Sequence, residues 1–333
     1  MNKVNLGIIG CGGFVRGMHV PNLVRNPRFR VLACCDLDLD AASACQEAVG
    51  SGYVTDDVDR LLHDDAIDAV LIGTRHDTHA GLSVRAARAG KHILCEKPMG
   101  LNEAQCRQVV RAVGEAGVIY TVGYNRGLSP LVTQARALLA EASGKAMIYH
   151  RIQAPFPASH WTHDPAVGGG RFVGEGCHIL DLFCELVDAA PIAVYAAGGT
   201  FLDPNEVHIP DSAIVTLTFA GGSVATTLIA SDGCPAFPKE STEIYARGKA
   251  IHIENFFEMT WHGFGDDPGS IQLDAVDKGH RVELDLWADA ILEGADPPNG
   301  LSNALRAALI SFYVDESLAT GQPIAISPEA YAL

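Results

Sequence analysis

The sequence lacks the features of a membrane, secreted or nucleic-acid-binding protein. No apolar run is long enough to span a bilayer, and the chain reaches Gly10 after too short an apolar stretch for a signal peptide. The formal net charge is −16, and the basic residues form no stripe that could attract a phosphate backbone. We therefore predict a soluble cytoplasmic protein with no nucleic-acid or membrane partner.

Paired cysteines are also lacking. The nine cysteines are scattered singly except for Cys34 and Cys35, which a strand would direct to opposite faces, and none forms a CxxC pair. The histidines between Ser159 and Pro165 do not have the spacing of a tight metal-ligand set. We predict reduced, mostly buried thiols and no metal site, which argues against a zinc-dependent alcohol dehydrogenase.

The chain does contain enough apolar sequence for two domains, since 48% of its 333 residues are hydrophobic. In the first part, short apolar runs alternate with helical patterns, which indicates βαβ units and a parallel sheet. The expected strands are Val4–Ile9, Arg30–Cys35, Ile67–Ile72, His92–Cys95 and Val118–Val122. We predict an α/β Rossmann domain over residues 1–123.

Strands dominate the later sequence. Helices are expected at 130–142 and 176–187, and the expected strands are 146–152, 194–199, 212–219, 223–231, 241–248 and 249–255. Short turns such as Gly221-Gly222 join antiparallel neighbours. We predict that residues 124–333 form an α+β substrate-binding and oligomerisation domain with a large, mostly antiparallel open sheet. Helical spacing returns at 279–292 and 301–320, and the last helix could pack back on the first domain.

A glycine-rich run, Gly10-Cys11-Gly12-Gly13, follows the first expected strand and precedes a helix, which is the setting of a dinucleotide-binding loop. Gly10 permits the tight turn, and Gly12 lets the backbone approach a pyrophosphate at the helix N-terminus. The other residues of this segment that we expect to contact the dinucleotide are Gly13, Phe14 and Val15. Because Val15 stands where the pattern has Gly or Ala, we expect looser packing of helix against strand there.

Asp36 directly follows the second expected strand. Its carboxylate can accept both hydroxyls of an adenosine ribose, or it can serve as a strand-end turn or helix cap. A 2′-phosphate would be repelled by this carboxylate, and no Arg follows to offset the repulsion. Asp36 therefore favours NAD over NADP.

Two further strings, Ile72–His79 and Cys95-Glu96-Lys97-Pro98-Met99, follow later strands. Together with the glycine run and the segment Gly123-Tyr124-Asn125-Arg126, they resemble the Gfo/Idh/MocA family, which includes glucose-fructose oxidoreductases and inositol dehydrogenases. The resemblance covers nearly the whole chain. It implies further cofactor contacts, and the corresponding residues are Thr74, His76, His79, Glu96, Lys97 and Asn125.

The resemblance also implies the catalytic groups. Lys97 precedes a proline, so its strand ends and the lysine projects from the carboxyl edge of the sheet, where such sheets bind ligands. In the family this lysine lies beside the nicotinamide ribose and the reacting hydroxyl. His178 occupies the position of the family's acid/base, and Asp181 shares its helix face and could orient it.

The substrate side departs from the family at one position. Gly174 stands where the family commonly has an Asp, and the adjacent Glu175 either supplies the missing carboxylate or contacts substrate hydroxyls. Trp161 either faces a sugar or cyclitol ring or packs the domain junction. The expected substrate contacts are Arg126, His160, Trp161, Arg171, Glu175 and His178.

We predict an NAD-dependent oxidoreductase acting on a secondary alcohol of a sugar, sugar derivative or cyclitol. His178 takes the hydroxyl proton as hydride passes to NAD, and Lys97 polarises the forming carbonyl. Two alternatives stay open: an enzyme that uses retained NAD transiently for hydrolysis, epimerisation or internal redox, and a non-catalytic NAD(H)-binding regulatory protein. The open sheet face predicts a homodimer or homotetramer.

Overall fold

The computed structural model describes residues 3–265 and 268–333. In the first half of the chain, strands alternate with helices. These elements are β1 (Val4–Ile9), α1 (Val20–Arg25), β2 (Phe29–Cys35), α2 (Leu39–Val49), β3 (Tyr53–Thr55), α3 (Val58–Leu62), β4 (Ala69–Ile72), α4 (His76–Arg88), β5 (His92–Cys95), α5 (Glu103–Ala116) and β6 (Tyr120–Val122).

The second half is richer in strands and ends in two helices. Its elements are α6 (Pro130–Ala142), β7 (Met147–Gln153), α7 (Cys177–Val187), β8 (Pro191–Gly199), β9 (Ser212–Phe219), β10 (Val224–Ala230), β11 (Glu240–Ala246), β12 (Lys249–Glu254), β13 (Glu258–His262), β14 (Gly269–Gln272), α8 (His280–Glu293), α9 (Leu301–Thr320) and β15 (Ile324–Ala325). Among the described residues, no helix combines the length and apolarity needed to cross a membrane.

The chain forms two compact units. Of the described residues, the first contains 3–124, 280–308 and 333, and the second contains 125–279 and 309–332. The sequence pattern assigned residues 280–308 to the later domain. They join the first unit because one face of α8 is apolar: Trp287 is fully buried in the core beside β1 and stacks on Phe29 with ring centroids 5.5 Å apart.

The first unit contains a six-stranded sheet in the order β3-β2-β1-β4-β5-β6, with every neighbouring pair parallel. The predicted Rossmann architecture is confirmed. The strand order reverses between β1 and β4, and ligands of such sheets bind outside the carboxyl ends of the strands at this point. Gly10, Gly73 and Glu96 each follow one of these ends directly.

The second unit contains a nine-stranded sheet in the order β14-β13-β12-β11-β7-β10-β9-β8-β15. One pair, β7 with β10, is parallel, and the others are antiparallel. The predicted large, mostly antiparallel sheet is therefore confirmed. Helices α6 and α7 supply apolar residues to the core that one face of this sheet helps to form, among them Leu131, Ile179 and Phe183.

Candidate active site

Glycine is required at one point in the glycine-rich loop of the first unit and at one point beside it. Gly10 has φ 91°, and a β-carbon there would lie 2.6 Å from the carbonyl carbon of Gly73. A β-carbon on Gly73 would in turn lie 2.3 Å from Cγ2 of Val15, which is buried. The packing beside Val15 is therefore close, contrary to our expectation, because Gly73 provides the space that a small residue at position 15 usually leaves.

The outer side of this loop is open. A β-carbon on Gly12 or Gly13 would meet no protein atom within 4 Å. The helical segment that begins at Gly13 contains a π-helical turn, Val15–His19, and Phe14 stands 51% exposed at its start. The loop thus offers bare backbone at the start of a helix, which fits the pyrophosphate of a dinucleotide.

Asp36 connects the end of β2 to the glycine loop. Its Oδ2 accepts a hydrogen bond from the backbone N–H of Cys11 at 2.6 Å, and its Oδ1 accepts one from Asp38 N–H at 3.0 Å. The cap of α2 is Asp38, whose side chain accepts from Asp40 and Ala41. Asp36 therefore does not cap the helix, and its half-buried carboxylate borders the loop.

The string after β4 contains two buried histidines. His79 is fully buried, and its two ring nitrogens lie 2.8 Å from the carbonyl oxygen of Pro98 and 3.1 Å from that of Thr74. Burial lowers the pKa of His79, although both carbonyls oppose the shift. His76 is also buried, 5.6 Å from His79 between ring centroids. His79 thus joins the turn after β4 to the segment that follows Lys97.

Glu96 is held in place immediately before Lys97. Its Oε1 lies 2.6 Å from Nε2 of His19, and its Oε2 accepts a hydrogen bond from the backbone N–H of Lys97 at 3.3 Å. Burial raises the pKa of Glu96, but His19 and, more weakly, Lys97 outweigh that effect, so the net pKa is lowered. Gly123 leaves room for this carboxylate, since a β-carbon there would lie 3.0 Å from Oε2.

In the second unit, α7 carries His178 and Asp181. Both are buried, with 6% and 1% of their surface exposed, and they lie three residues apart on the helix. A π-helical turn, Phe172–Gly176, leads into α7 and carries Glu175. Gly168 brings the preceding segment close, because a β-carbon there would lie 2.1 Å from Cα of Thr162.

Arg126 is buried in an ion-pair network. Its guanidinium donates to both carboxylate oxygens of Glu240, at 2.7 and 3.1 Å, and to Oε1 of Glu175 at 3.2 Å. Lys278 also pairs with Glu240, and Lys239 lies 3.7 Å from Glu175. Burial raises the pKa of Glu240, but Arg126, His150 and Lys278 bring it well below the ordinary value. The network fixes the carboxylate of Glu175 three residues before His178.

A second group of side chains surrounds Phe156. The guanidinium of Arg171 lies 4.1 Å from the centre of this ring, and the rings of His160 and His163 lie 4.8 and 5.2 Å from it. Trp161 follows, 5.4 Å from His160. Arg171 is 5% exposed, donates to Oγ of Ser231 at 3.0 Å, and has its pKa lowered by burial. This group offers apolar ring faces beside polar groups, which suits a polyhydroxylated ring.

Asn125 differs from the other expected cofactor contacts because it belongs to the second unit, where its side-chain amide donates to the carbonyl oxygen of Lys278 at 2.7 Å. Sequence reasoning missed several site residues. They are His19, Phe156, His163, Lys239, Glu240 and Lys278. Glu240 is the first residue of β11, and its burial, which calls for a charged partner, is visible only in the structure.

Comparison with known proteins identifies the family. Residues 4–124 match the oxidoreductase family with an NAD-binding Rossmann fold, and residues 136–252 match the GFO/IDH/MocA C-terminal domain. The chain belongs to the Gfo/Idh/MocA family of oxidoreductases. Its resemblance to that family, read first from the glycine run and the Glu96-Lys97-Pro98 segment, is confirmed.

Three relatives illustrate the similarity. An inositol 2-dehydrogenase of Rhizobium meliloti strain 1021 is 30% identical over 333 residues, which cover 97% of this chain and 99% of that one. An uncharacterised oxidoreductase of Bacillus subtilis strain 168 is 26% identical over 331 residues and 97% of each chain. The crystal structure of a myo-inositol dehydrogenase from Corynebacterium glutamicum has a TM-score of 0.82 at 22% identity, covers 98% of this chain and 99% of its own, and shows the same fold.

Proposed function

We propose that this member of the family is an NAD-dependent dehydrogenase that oxidises a secondary alcohol of a cyclitol or sugar. The observation that carries the proposal is the full-length similarity to the Rhizobium meliloti inositol 2-dehydrogenase. The buried His178 and the half-buried Lys97 supply the two polar groups that alcohol oxidation requires.

NAD supplies the hydride acceptor when it is bound. The open backbone at Gly12 and Gly13 and the carboxylate of Asp36 fit its pyrophosphate and its adenosine ribose. The repulsion that Asp36 would exert on a 2′-phosphate favours NAD over NADP. Phe14, Val15 and the buried His76 and His79 act mainly by shaping and holding the loops around this site.

His178 takes the proton from the reacting hydroxyl, because an imidazole titrates near neutral pH and transfers protons readily. Asp181, on the same face of α7, orients it. Lys97 stabilises the developing charge on the oxygen by donating a hydrogen bond. Glu96 and His19 position Lys97 through its backbone N–H.

Substrate hydroxyls are held by charged and aromatic groups of the second unit. Glu175 accepts hydrogen bonds from them, and Arg126 acts indirectly by holding the Glu175 carboxylate in place. Arg171, His160 and Trp161 border the ring of the substrate. We therefore assign Arg126 as a positioning residue rather than a direct substrate contact.

We further propose that the chain assembles through the open face of its second sheet as a homodimer, or as a tetramer built from such dimers. That face carries exposed apolar side chains on several strands, and a self-complementary patch of this kind favours an isologous contact. The exposed residues are Met147, Ile192, Tyr195, Ile214 and Tyr245.

A substrate screen tests the proposed activity. The purified chain is incubated with NAD and a panel of inositols, free sugars and nucleotide sugars, and NADH formation is followed by absorbance. We expect NADH to accumulate with at least one cyclitol or sugar. Binding of NADH without oxidation of any member of the panel would overturn the proposal, and turnover of a sugar without NADH accumulation would show transient use of the cofactor.

A further inference from the structure

Three cysteines meet beneath the glycine-rich loop. Cys11 lies in the loop after β1, Cys34 in β2 and Cys45 in α2, and their sulfur atoms all lie within 4.8 Å of one another. All three residues have no exposed surface. Within residues 3–265 and 268–333, this is the one group of His, Cys, Asp and Glu side chains that converges so closely.

The spacing of the sulfurs suits a bound ion. Three thiolates bonded to one metal at about 2.3 Å lie roughly 4 Å apart from one another. The three sulfurs come from separate elements, and they already lie within 4.8 Å of one another, close to that spacing. Each cysteine offers one ligand atom, its sulfur. The loop, strand and helix that carry the three cysteines are held in place by the fold around the sheet.

The ligand chemistry favours a soft ion. Thiolates select soft metals, whereas Mg²⁺ and Ca²⁺ require oxygen ligands. The carboxylate nearest in the hydrogen-bond network, that of Asp36, already accepts from the N–H of Cys11 through Oδ2. Structural zinc sites have four ligands, so a set of three thiols fits an ion that accepts threefold coordination. When it is bound by three thiolates, a divalent ion leaves a smaller net negative charge buried in the protein than a monovalent ion does.

We propose that Cys11, Cys34 and Cys45 form a binding site for one soft divalent metal ion, held by three thiolate sulfurs beneath the glycine-rich loop. Binding breaks three S–H bonds, forms three metal–sulfur bonds and releases three protons to the solvent, with no change in oxidation state. The site lies outside the groups assigned to hydride transfer, and it does not depend on the proposed dehydrogenase activity.

The site has a consequence for the nucleotide loop. Cys11 stands between Gly10 and Gly12, and its N–H is bonded to Asp36. An ion that draws the Cys11 side chain towards β2 and α2 therefore shifts the loop backbone and the carboxylate together. We expect the affinity for NADH to change when the ion is bound, a consequence that rests on the NAD site proposed above.

Cadmium is the probe for this site. The protein carries Cys234→Ser, which removes the one exposed cysteine among the described residues, and is fully reduced before titration with Cd²⁺. We expect an ultraviolet thiolate-to-metal absorption band that saturates at one ion per chain, with release of three protons. Absence of the band, or saturation at several ions per chain without a tight site, would overturn the proposal.

Substitutions locate the site. In the same background, Cys45→Ser and Cys34→Ser should each weaken Cd²⁺ binding by on the order of 100-fold, since losing a ligand exceeds the effect of losing an outer-shell partner. Cys106→Ser, at a buried cysteine of α5 outside the cluster, should leave binding unchanged. Circular dichroism confirms that each variant is folded. A band that persists in both cluster variants would contradict the assignment.

Measurements of NADH affinity test the coupling between the metal site and the nucleotide loop separately from the metal site itself. NADH binding is measured by fluorescence with and without Cd²⁺ in the Cys234→Ser protein and in its Cys45→Ser derivative. We expect Cd²⁺ to change the affinity in the first protein alone. An unchanged affinity at saturating Cd²⁺ would overturn the coupling, whereas failure of either protein to bind NADH would overturn the NAD site and not the metal site.

Discussion

Nε2 of His19 lies 2.6 Å from Oε1 of Glu96, and both side chains are buried in the first unit. The other oxygen of Glu96 accepts the backbone N–H of Lys97. The imidazole therefore holds the carboxylate that fixes the start of the Lys97-Pro98 segment.

His19→Leu removes the buried partner of Glu96. We expect the free energy of unfolding to fall by about 2–3 kcal/mol. The cost of leaving a buried carboxylate without its hydrogen-bond partner exceeds the net stability that the hydrogen bond contributes. Urea denaturation of His19→Leu, Glu96→Gln and the double variant gives the coupling energy between the two side chains. A coupling energy near zero would show that the contact does not stabilise the fold.

Gly73→Ala places a β-carbon against Cγ2 of Val15. We expect a loss of about 1–3 kcal/mol in unfolding free energy from overpacking. Val15→Ala should restore most of this stability in the double variant. Gly81→Ala in α4, where a β-carbon meets no atom within 4 Å, is the matched control and should be neutral or stabilising. Equal losses in the single and double variants would refute the proposed packing.

Asp36→Asn keeps an oxygen that can accept the N–H of Cys11 but removes the negative charge. We expect the ratio of the affinity for NADH to the affinity for NADPH to fall by about tenfold, which corresponds to about 1.4 kcal/mol. Fluorescence titration with NADH and NADPH measures both affinities. An unchanged ratio would mean that the carboxylate does not select the cofactor.

Glu240 links stability to pH. Because its pKa in the folded chain lies well below the ordinary value, its contribution to stability is complete above the unfolded pKa of about 4.3 and is lost as the pH falls towards the folded pKa. Wild-type stability should therefore fall on acidification below about pH 5, and Glu240→Gln should show a weaker pH dependence.

The matched control for Glu240 is Glu243→Gln, on the same strand but partly exposed. Its urea midpoint should follow the wild-type pH profile. At neutral pH, Glu240→Gln should lose about 3–5 kcal/mol, because the buried Arg126 then keeps only Glu175 as a carboxylate partner and Lys278 loses its pairing with Glu240. Identical pH profiles for wild type and Glu240→Gln would contradict this account.

Local patterns predicted most of the first sheet. The apolar runs at β1 and β5 were placed with their observed bounds, and β3 was missed because three residues carry too little pattern. In the second sheet, turns predicted the β9–β10 and β11–β12 pairs. They could not show that β7 lies between β10 and β11, since that pairing joins strands far apart in sequence.

In the candidate site too, residues of local motifs were predicted from the sequence and pairs distant in sequence were not. Gly10, Asp36 and Lys97 belong to short motifs, so the sequence alone indicated them. Gly73 could not be recognised as the partner of Val15, nor Glu240 as the partner of Arg126, because each pair meets only in the folded chain. The three thiols were predicted to be reduced, mostly buried and part of no metal site, and their convergence became visible only in the structure.

His178 and Lys97 are the two groups proposed to act on the substrate hydroxyl. The most direct measurement is NADH formation by the wild type, His178→Ala and Lys97→Met on the cyclitol or sugar that the screen identifies, with the exposed His63→Gln as control. We expect kcat to fall by about 100- to 10,000-fold in the first two variants, whereas NADH binding persists and the control is unaffected. Turnover within a few-fold of wild type in either variant would contradict it.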